Sequence, residues 1–295
     1  MKYRFIAGHK DEFPIQALCR VLAVSSSGYY AWRNRPASAR AKSNQVLLEQ
    51  IKQAHQASRA TYGSPRIHAE LRAQGVLCSS NRVARLMRQH GIRVKRRKRR
   101  QSTTDSRHDY PVAPNWLNQD FTAMAPNRKW LADITYIDTW EGWLYLAVVL
   151  DVFSRRIVGW AMAEHRETPL VEQALQMALL RRKPAADLLH HSDRGSQYAS
   201  HDYQALLAIH QIQVSMSRKG NCYDNAMLES FIGTLKTECG VDRYETRRTA
   251  RGTIFEYIEV WYNRQRRHSA LHYCSPAEYE QLYVDSVNSV STKPG

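Results

Sequence analysis

From about Asn127 onward the chain is patterned for strands, and this stretch constrains its fold more than any other. Trp130–Thr139 alternates apolar and polar residues and is rich in β-formers, Gly142–Asp151 carries a continuous apolar run, and Arg156–Ala163 offers a third strand. The turns between them predict an antiparallel meander. Beyond it the pattern alternates, with a helix over Leu170–Arg181, a strand over Asp187–Ser192, a helix over Tyr198–His210, a strand over Ile212–Met216 and a long helix from near Asp224. Strands followed by alternating helices and strands predict an α/β fold, a mixed five-stranded sheet with helices on both faces. Arg247–Arg266 is again helical by pattern and leads to a Pro-containing tail.

The upstream part reads as all-α. Residues 14–34 form two short helices around the Ser-rich break at Val24–Gly28. In residues 44–92, Ser64 can cap a helix with Pro65 at its first position and Gly75 at its end. Ser80 can cap a second, closed by Gly91, whose Val83, Leu86 and Met87 face inward while Arg82, Arg85 and Arg88 share another face. A capped helix, a turn and a helix with an arginine stripe fit a helix-turn-helix reader of the DNA major groove; a solvated basic helix is the plainer alternative. Arg93 to Arg100 follows with seven basic residues of eight, among them Lys95, Arg96, Arg97, Lys98, Arg99 and Arg100. Such a run cannot pack in a core and predicts an arm that tracks phosphates, or else a solvated spacer. The expected plan is thus an N-terminal helical region (1–43), a helix-turn-helix domain (44–92), a basic linker (93–125), a catalytic core (126–242) and a C-terminal helical region with tail (243–295).

Charge separates these parts. The chain carries 43 Lys and Arg against 27 Asp and Glu, a net of +16. Residues 1–110 hold 23 basic and 6 acidic residues, and residues 111–295 hold 20 and 21, so the entire excess lies in the first third. A basic module joined to a near-neutral body points to a polyanion, with double-stranded DNA the leading candidate. A membrane is not expected, because the longest apolar run, Trp143–Leu150, has eight residues and suits a buried strand. The five cysteines are scattered without a CxxC pair, which argues against a disulfide framework and a zinc finger. With no apolar leader in Met1–Asp11, a cytoplasmic setting is expected, on the nucleoid when bound to DNA.

Three carboxylates stand out. Asp133 lies inside the first strand, where apolar neighbours suit an unpaired charge poorly. Asp193 ends the fourth strand, and sites in α/β sheets gather at such carboxyl ends. Glu229 lies on the helix from near Asp224, where Asn225, Glu229 and Lys236 share a stripe beside the inward Leu228, Phe231 and Leu235. Phosphodiester transfer needs an activated nucleophile and a stabilised leaving oxygen, and two divalent metals about 3.5–4 Å apart supply both. Hard cations such as Mg²⁺ take oxygen ligands. Here Asp133 would bridge two ions, with Asp193 and Glu229 on either side, while Lys236 would hold a phosphate. Singly, each has a plainer reading: a satisfied buried Asp133, a turn residue Asp193, a surface helix residue Glu229. Together, in this order and on these elements, they predict catalysis. Asp151 reads as a turn residue and Asp224 as an N-cap; His190 and His191 could bind metal, but an oxygen site does not need them.

The order of elements resembles the ribonuclease H-type fold. The sequence also resembles a family, the second-frame (orfB-type) insertion-sequence transposases that move by a copy-out, paste-in route and share a catalytic core with retroviral integrases. The resemblance covers nearly the whole chain. It rests on Tyr62-Gly63-Ser64-Pro65-Arg66-Ile67, on the strand around Asp133, on His191–Tyr198, on Ser217–Phe231, and on Tyr262-Asn263, His268-Ser269-Ala270-Leu271 and Ser275-Pro276. The 35 residues between Asp193 and Glu229, and a lysine seven after the glutamate, are family features. His272 stands where the family usually has Gly.

The resemblance implies an Asp/Asp/Glu enzyme using Mg²⁺, with Mn²⁺ able to substitute. Water attacks at an element end, the freed 3′-OH attacks a second phosphodiester, and no covalent protein–DNA intermediate forms. It implies Arg66 and Asn225 among the DNA contacts, a homo-oligomer on DNA, and an upstream-frame product as fusion or partner, since no heptad repeat is present here. Two other readings stay open at this point: a DNA-binding regulator without catalysis, and a ribonuclease H-like nuclease acting on RNA–DNA hybrids.

Overall fold

The computed structural model describes residues 1–36, 38–94 and 110–291, so the run Lys95, Arg96, Arg97, Lys98, Arg99 and Arg100 lies outside the described residues. The chain forms two compact units, Met1–Gln53 and Ala54–Gly295.

The first unit holds α1 (Lys2–Gly8), α2 (Ile15–Val21), α3 (Ser26–Asn34) and most of α4 (Ala39–Ala57). Ile6, Cys19 and Tyr29 form its core, with Tyr3, Leu18 and Trp32 packed around them. The two helices expected over 14–34 are present, and the Ser25 hydroxyl caps α3 by accepting from the Gly28 amide. Helices α1 and α4 are additions to the sequence reading. α1 has no capping side chain and buries only Ile6, so little marks it. α4 was more legible: Leu47, Ile51 and Ala54 are buried at helical spacing.

In the second unit α5 (Ser64–Ala73) and α6 (Ser80–Gln89) begin one residue earlier than expected. Gly63 is the N-cap of α5, which puts Ser64 and Pro65 inside its first turn. Ser79 caps α6, accepting from the Arg82 amide at 3.3 Å. Val83, Leu86 and Met87 are buried, as the periodicity requires.

The sheet comprises β1 (Lys129–Thr139), β2 (Gly142–Asp151), β3 (Ile157–Ala163), β4 (Leu189–Ser192) and β5 (Gln213–Met216). Its order is β3-β2-β1-β4-β5, with β2 antiparallel to β1 and β3, and β4 parallel to β1 and β5. This is the expected mixed five-stranded architecture, with the topology of the ribonuclease H-like fold. Helix α7 (Thr168–Arg182) follows β3; α8 (Ser196–Ala199) and α9 (His201–Ile209) follow β4. On one face Trp130, Ala132, Ala147 and Val149 pack with Leu175 of α7 and Leu207 of α9. The other face meets α10 (Ala226–Cys239) and α11 (Arg247–Glu256). Helices on both faces explain why β2 reads as a continuous apolar run.

Gly159 lets α7 approach β3 closely, since a Cβ there would lie 2.1 Å from the Ala174 carbonyl oxygen. The helix expected over Tyr198–His210 is broken at Ser200, which caps α9. The helix expected over Arg247–Arg266 ends at Glu256, passes into a π-helical turn over Tyr257–Tyr262, and the tail from Pro276 forms α12 (Pro276–Ser291). Glu280 of α12 accepts from Ser154, Arg156 and Arg182, which ties that helix to the β2–β3 turn and to α7. Among the described residues, no helix is long and apolar enough to cross a membrane.

Candidate active site

The parallel pairing of β1 with β4 sets the site. Its last register pair is Ala132 with Ser192, so one step on Asp133 and Asp193 stand side by side on the same face. Asp193 lies just beyond β4, and its Oδ1 accepts the Gly195 amide at 2.9 Å in a tight turn. Asp133 Oδ1 accepts from the Ile134 amide at 2.8 Å. Asp133 is partly accessible but hemmed in by protein. Its pKa is raised well above the usual carboxylate range, first by desolvation, then by the charge of Asp193 and, more weakly, of Glu229, while Lys236 opposes the shift. The fold therefore brings together Asp133, Asp193, Glu229 and Lys236, from β1, the end of β4 and α10.

The start of α10 explains how Glu229 arrives there. Asp224, expected as an N-cap, is instead a fully buried clamp. It accepts from the Arg218 amide (2.8 Å) and guanidinium (2.7 Å), from Asn115 (2.9 Å) and from Gln119 (3.0 Å). These hydrogen bonds, Arg218's above all, hold its carboxyl far below the usual range. The cap of the short turn Cys222–Asn225 is Asn221. The preference of Asp for helix starts hid this role, because the partners lie about a hundred residues upstream and in the preceding loop. Asn225, expected among the DNA contacts, is buried, and its amide donates to the Ala132 carbonyl at 3.3 Å. It pins α10 to β1 one residue before Asp133. Lys236 Nζ sits 4.3 Å from the centroid of the Tyr136 ring, and both residues line a cleft of about 280 Å³ with Asp138 and Trp143.

Among the described residues, no three His, Cys, Asp or Glu side chains converge closely enough to hold one ion as they stand. Asp133, Asp193 and Glu229 stand in one another's field without forming such a cluster. Their chemistry nevertheless fits a hard divalent metal: the donors are all oxygens, and the raised proton affinity of Asp133 marks a place short of positive charge.

His190 and His191 are structural. His191 bonds Ser215 (2.8 Å) and Ser217 (3.0 Å), and His190 bonds Tyr203 (3.0 Å). Burial lowers their pKa values to about 3 and about 4. Asp151 organises its turn by accepting from the Phe153 amide (2.9 Å). On α6, Arg88 is exposed, Arg82 half-buried, and Arg85 half-buried with its Nε enclosed. Arg66 of α5 stacks on Tyr62, 5.7 Å from the ring centroid.

Residues 123–222 match the integrase core domain family, residues 210–276 a second integrase core domain family, and residues 42–100 the HTH-like domain family. Over 267 residues the chain is 48% identical to the insertion element IS600 uncharacterized 31 kDa protein of Shigella sonnei, covering 90% of this chain and 98% of that one. Over 283 residues it is 46% identical to transposase InsF for insertion sequence IS3A of Escherichia coli K12, covering 95% and 98%. The chain belongs to the IS3-type insertion-sequence transposases. Among solved structures, the HTLV-2 integrase catalytic core domain in complex with magnesium aligns at 13% identity and a TM-score of 0.42, covering 54% of this chain and 99% of that one. Similarity to transposases along the whole chain does not favour the non-catalytic regulator or the hybrid nuclease. None of these matches supports the expected upstream-frame partner. At His272, where the family usually has Gly, the backbone is left-handed (φ 52°), a conformation glycine adopts freely.

Proposed function

We propose that this transposase cleaves DNA strands and transfers the freed 3′ ends at insertion-sequence ends, with Asp133, Asp193 and Glu229 as its catalytic carboxylates. The observation that carries the reading is that Asp133, in the middle of β1, stands beside Asp193 at the end of β4 and feels the charges of Asp193, Glu229 and Lys236 together. Two Mg²⁺ ions held by the three carboxylates, or Mn²⁺ in their place, would supply an activated water and offset charge on the leaving oxygen. The chain's own contribution is position. The Ile134 amide donates to Asp133 Oδ1 and the Gly195 amide to Asp193 Oδ1, which orients both carboxylates. Asn225 fixes the height of α10 against β1, and so the reach of Glu229. Lys236 is the cation for a phosphate.

The chemistry is two displacements at phosphorus. In the first, water's oxygen bonds to phosphorus and the strand's 3′ oxygen leaves as the 3′-OH. In the second, that 3′-OH bonds to a target phosphorus and displaces the target's own 3′ oxygen. The domain plan with boundaries at 43/44, 92/93, 125/126 and 242/243 belongs to this reading, as do Arg66, Arg82, Arg85, Arg88 and the run Lys95–Arg100 as DNA contacts. So do a homo-oligomer on DNA and action in the bacterial cytoplasm, on the nucleoid.

The test is strand transfer of a pre-cut duplex end, with its 3′-OH exposed, into plasmid in Mg²⁺ or Mn²⁺. Wild type joins, and Glu229→Gln loses joining while still shifting duplex DNA on a gel. Joining by the variant at the wild-type rate would remove Glu229 from the site. Should wild type bind but not join, repeating the assay with the upstream frame fused separates a missing partner from a chain without catalysis.

A further inference from the structure

On the far side of α10 from the carboxylates a second cleft, of about 140 Å³, opens within the Ala54–Gly295 unit. Arg66 of α5, Arg155 of the β2–β3 turn, and Arg266 and His268 beyond the π-helical turn line it, together with Ser230 and Thr234 of α10. No Asp or Glu is among its lining residues. Since about 10–15 Å³ of such space admits a water, the cleft has room for a tetrahedral oxyanion.

The three arginines are not equivalent. Arg266 is buried and paired from behind by Glu238 at 2.8 Å, so its charge is largely spent on the fold. Among the described residues, Arg66 and Arg155 have no carboxylate within ion-pair distance, and Arg66 Nε is enclosed without a hydrogen-bond partner. Burial, and then repulsion from Arg266, lowers the Arg66 pKa. His268 is pushed well below its ordinary range by burial and then by Arg266, Arg155 and Arg66, so all three guanidinium charges bear on one place. Enclosing like charges around an opening without a counter-charge is unfavourable for the chain alone. An anion would satisfy the enclosed donor and relieve the repulsion, and guanidinium forks match phosphate oxygens well.

We propose that this cleft is a phosphate-binding site whose occupant is a backbone phosphate of bound DNA. Arg66 stands on the first helix of the helix-turn-helix pair, and Ser230 and Thr234 stand on the helix that carries Glu229. A phosphate seated here would bear at once on the DNA-binding helices and on the catalytic helix. The assignment does not depend on the three carboxylates.

The experiment uses the full chain and needs no catalysis. Melting temperature is followed as inorganic phosphate replaces chloride at constant ionic strength, and duplex affinity is followed against salt. Wild type should melt about 5 °C higher in saturating phosphate. Arg155→Gln, at the half-buried arginine of the β2–β3 turn, should lose that rise, and Arg155→Lys should restore part of it. In the DNA arm Arg155→Gln should flatten the dependence of log affinity on log salt by about one unit. A lost phosphate response with an unchanged salt slope keeps the anion site and makes free phosphate its occupant. A phosphate response and a salt slope both unchanged in Arg155→Gln overturn the proposal, whether or not strand transfer is observed.

Discussion

Asp133 shows at the scale of one residue how a site conflicts with the fold that holds it. It is surrounded by protein, stands beside Asp193, and feels Glu229, with the Ile134 amide and, more weakly, Lys236 in opposition. In the absence of metal, Asp133→Asn should therefore raise the melting temperature, by the equivalent of about 1 kcal/mol, while abolishing strand transfer. Mg²⁺ should stabilise wild type but not the variant, and more strongly at higher pH, because metal and proton compete for the carboxylate. A variant that melts lower than wild type without metal would show that the cluster is not repulsive. The buried histidines work in the opposite sense. With folded values of about 3 for His190 and about 4 for His191, below the ordinary 6.5, both stay neutral in the fold. The unfolded chain binds more protons below pH 6.5, so this contribution to stability is complete above that pH and is lost as pH falls towards 4 and then 3. Each histidine should cost roughly 1.4 kcal/mol per pH unit in that window. Urea midpoints from pH 7 to 5 should fall in wild type and fall less in His191→Asn; parallel curves would count against the assignment.

At the scale of elements, close packing and buried pairs decide where helices lie. Gly159 has no room for a side chain against α7, with Ala178 as well as Ala174 in the way. Gly159→Ala should destabilise the protein by about 1–3 kcal/mol, read as a lower urea midpoint, because α7 must move off the sheet. A midpoint unchanged from wild type would mean that the helix shifts without penalty. The π-helical turn Tyr257–Tyr262 has a comparable cause. On it Tyr257 and Trp261 both donate to Glu238, at 3.0 and 3.1 Å, where Arg266 also bonds. A buried carboxylate needs this many donors. Pattern reading merged α11 with this turn because both are apolar at helical spacing, and the hydrogen bonds that break the period come from α10.

Across the whole molecule, charge is divided between a basic first third and a near-neutral remainder. Duplex affinity should therefore fall steeply with salt: with 6–10 phosphates contacted, by roughly 10³–10⁵ between 50 and 200 mM. Removing Arg82 and Arg88 together should reduce the log–log slope by about 2, if each meets one phosphate. Fluorescence anisotropy over a salt series measures both, and a slope equal to wild type would place α6 away from the DNA backbone.

Local sequence determined the strands and most helices of this protein, because alternation, apolar runs and turn residues act over a few positions. It also singled out Asp133, Asp193 and Glu229, because strand ends and a helix stripe are local marks and the motifs around them are long. Only the tertiary structure decided that Asp224 clamps the entry to α10 through Arg218, Asn115 and Gln119, that Asn225 turns inward to β1, and that Glu238 gathers Tyr257, Trp261 and Arg266. It alone brought Arg66, Arg155 and Arg266 around one cleft. Each of these depends on partners far apart in the chain, and a carboxylate or guanidinium has the same local signature whether its partner is water, a distant residue or a ligand.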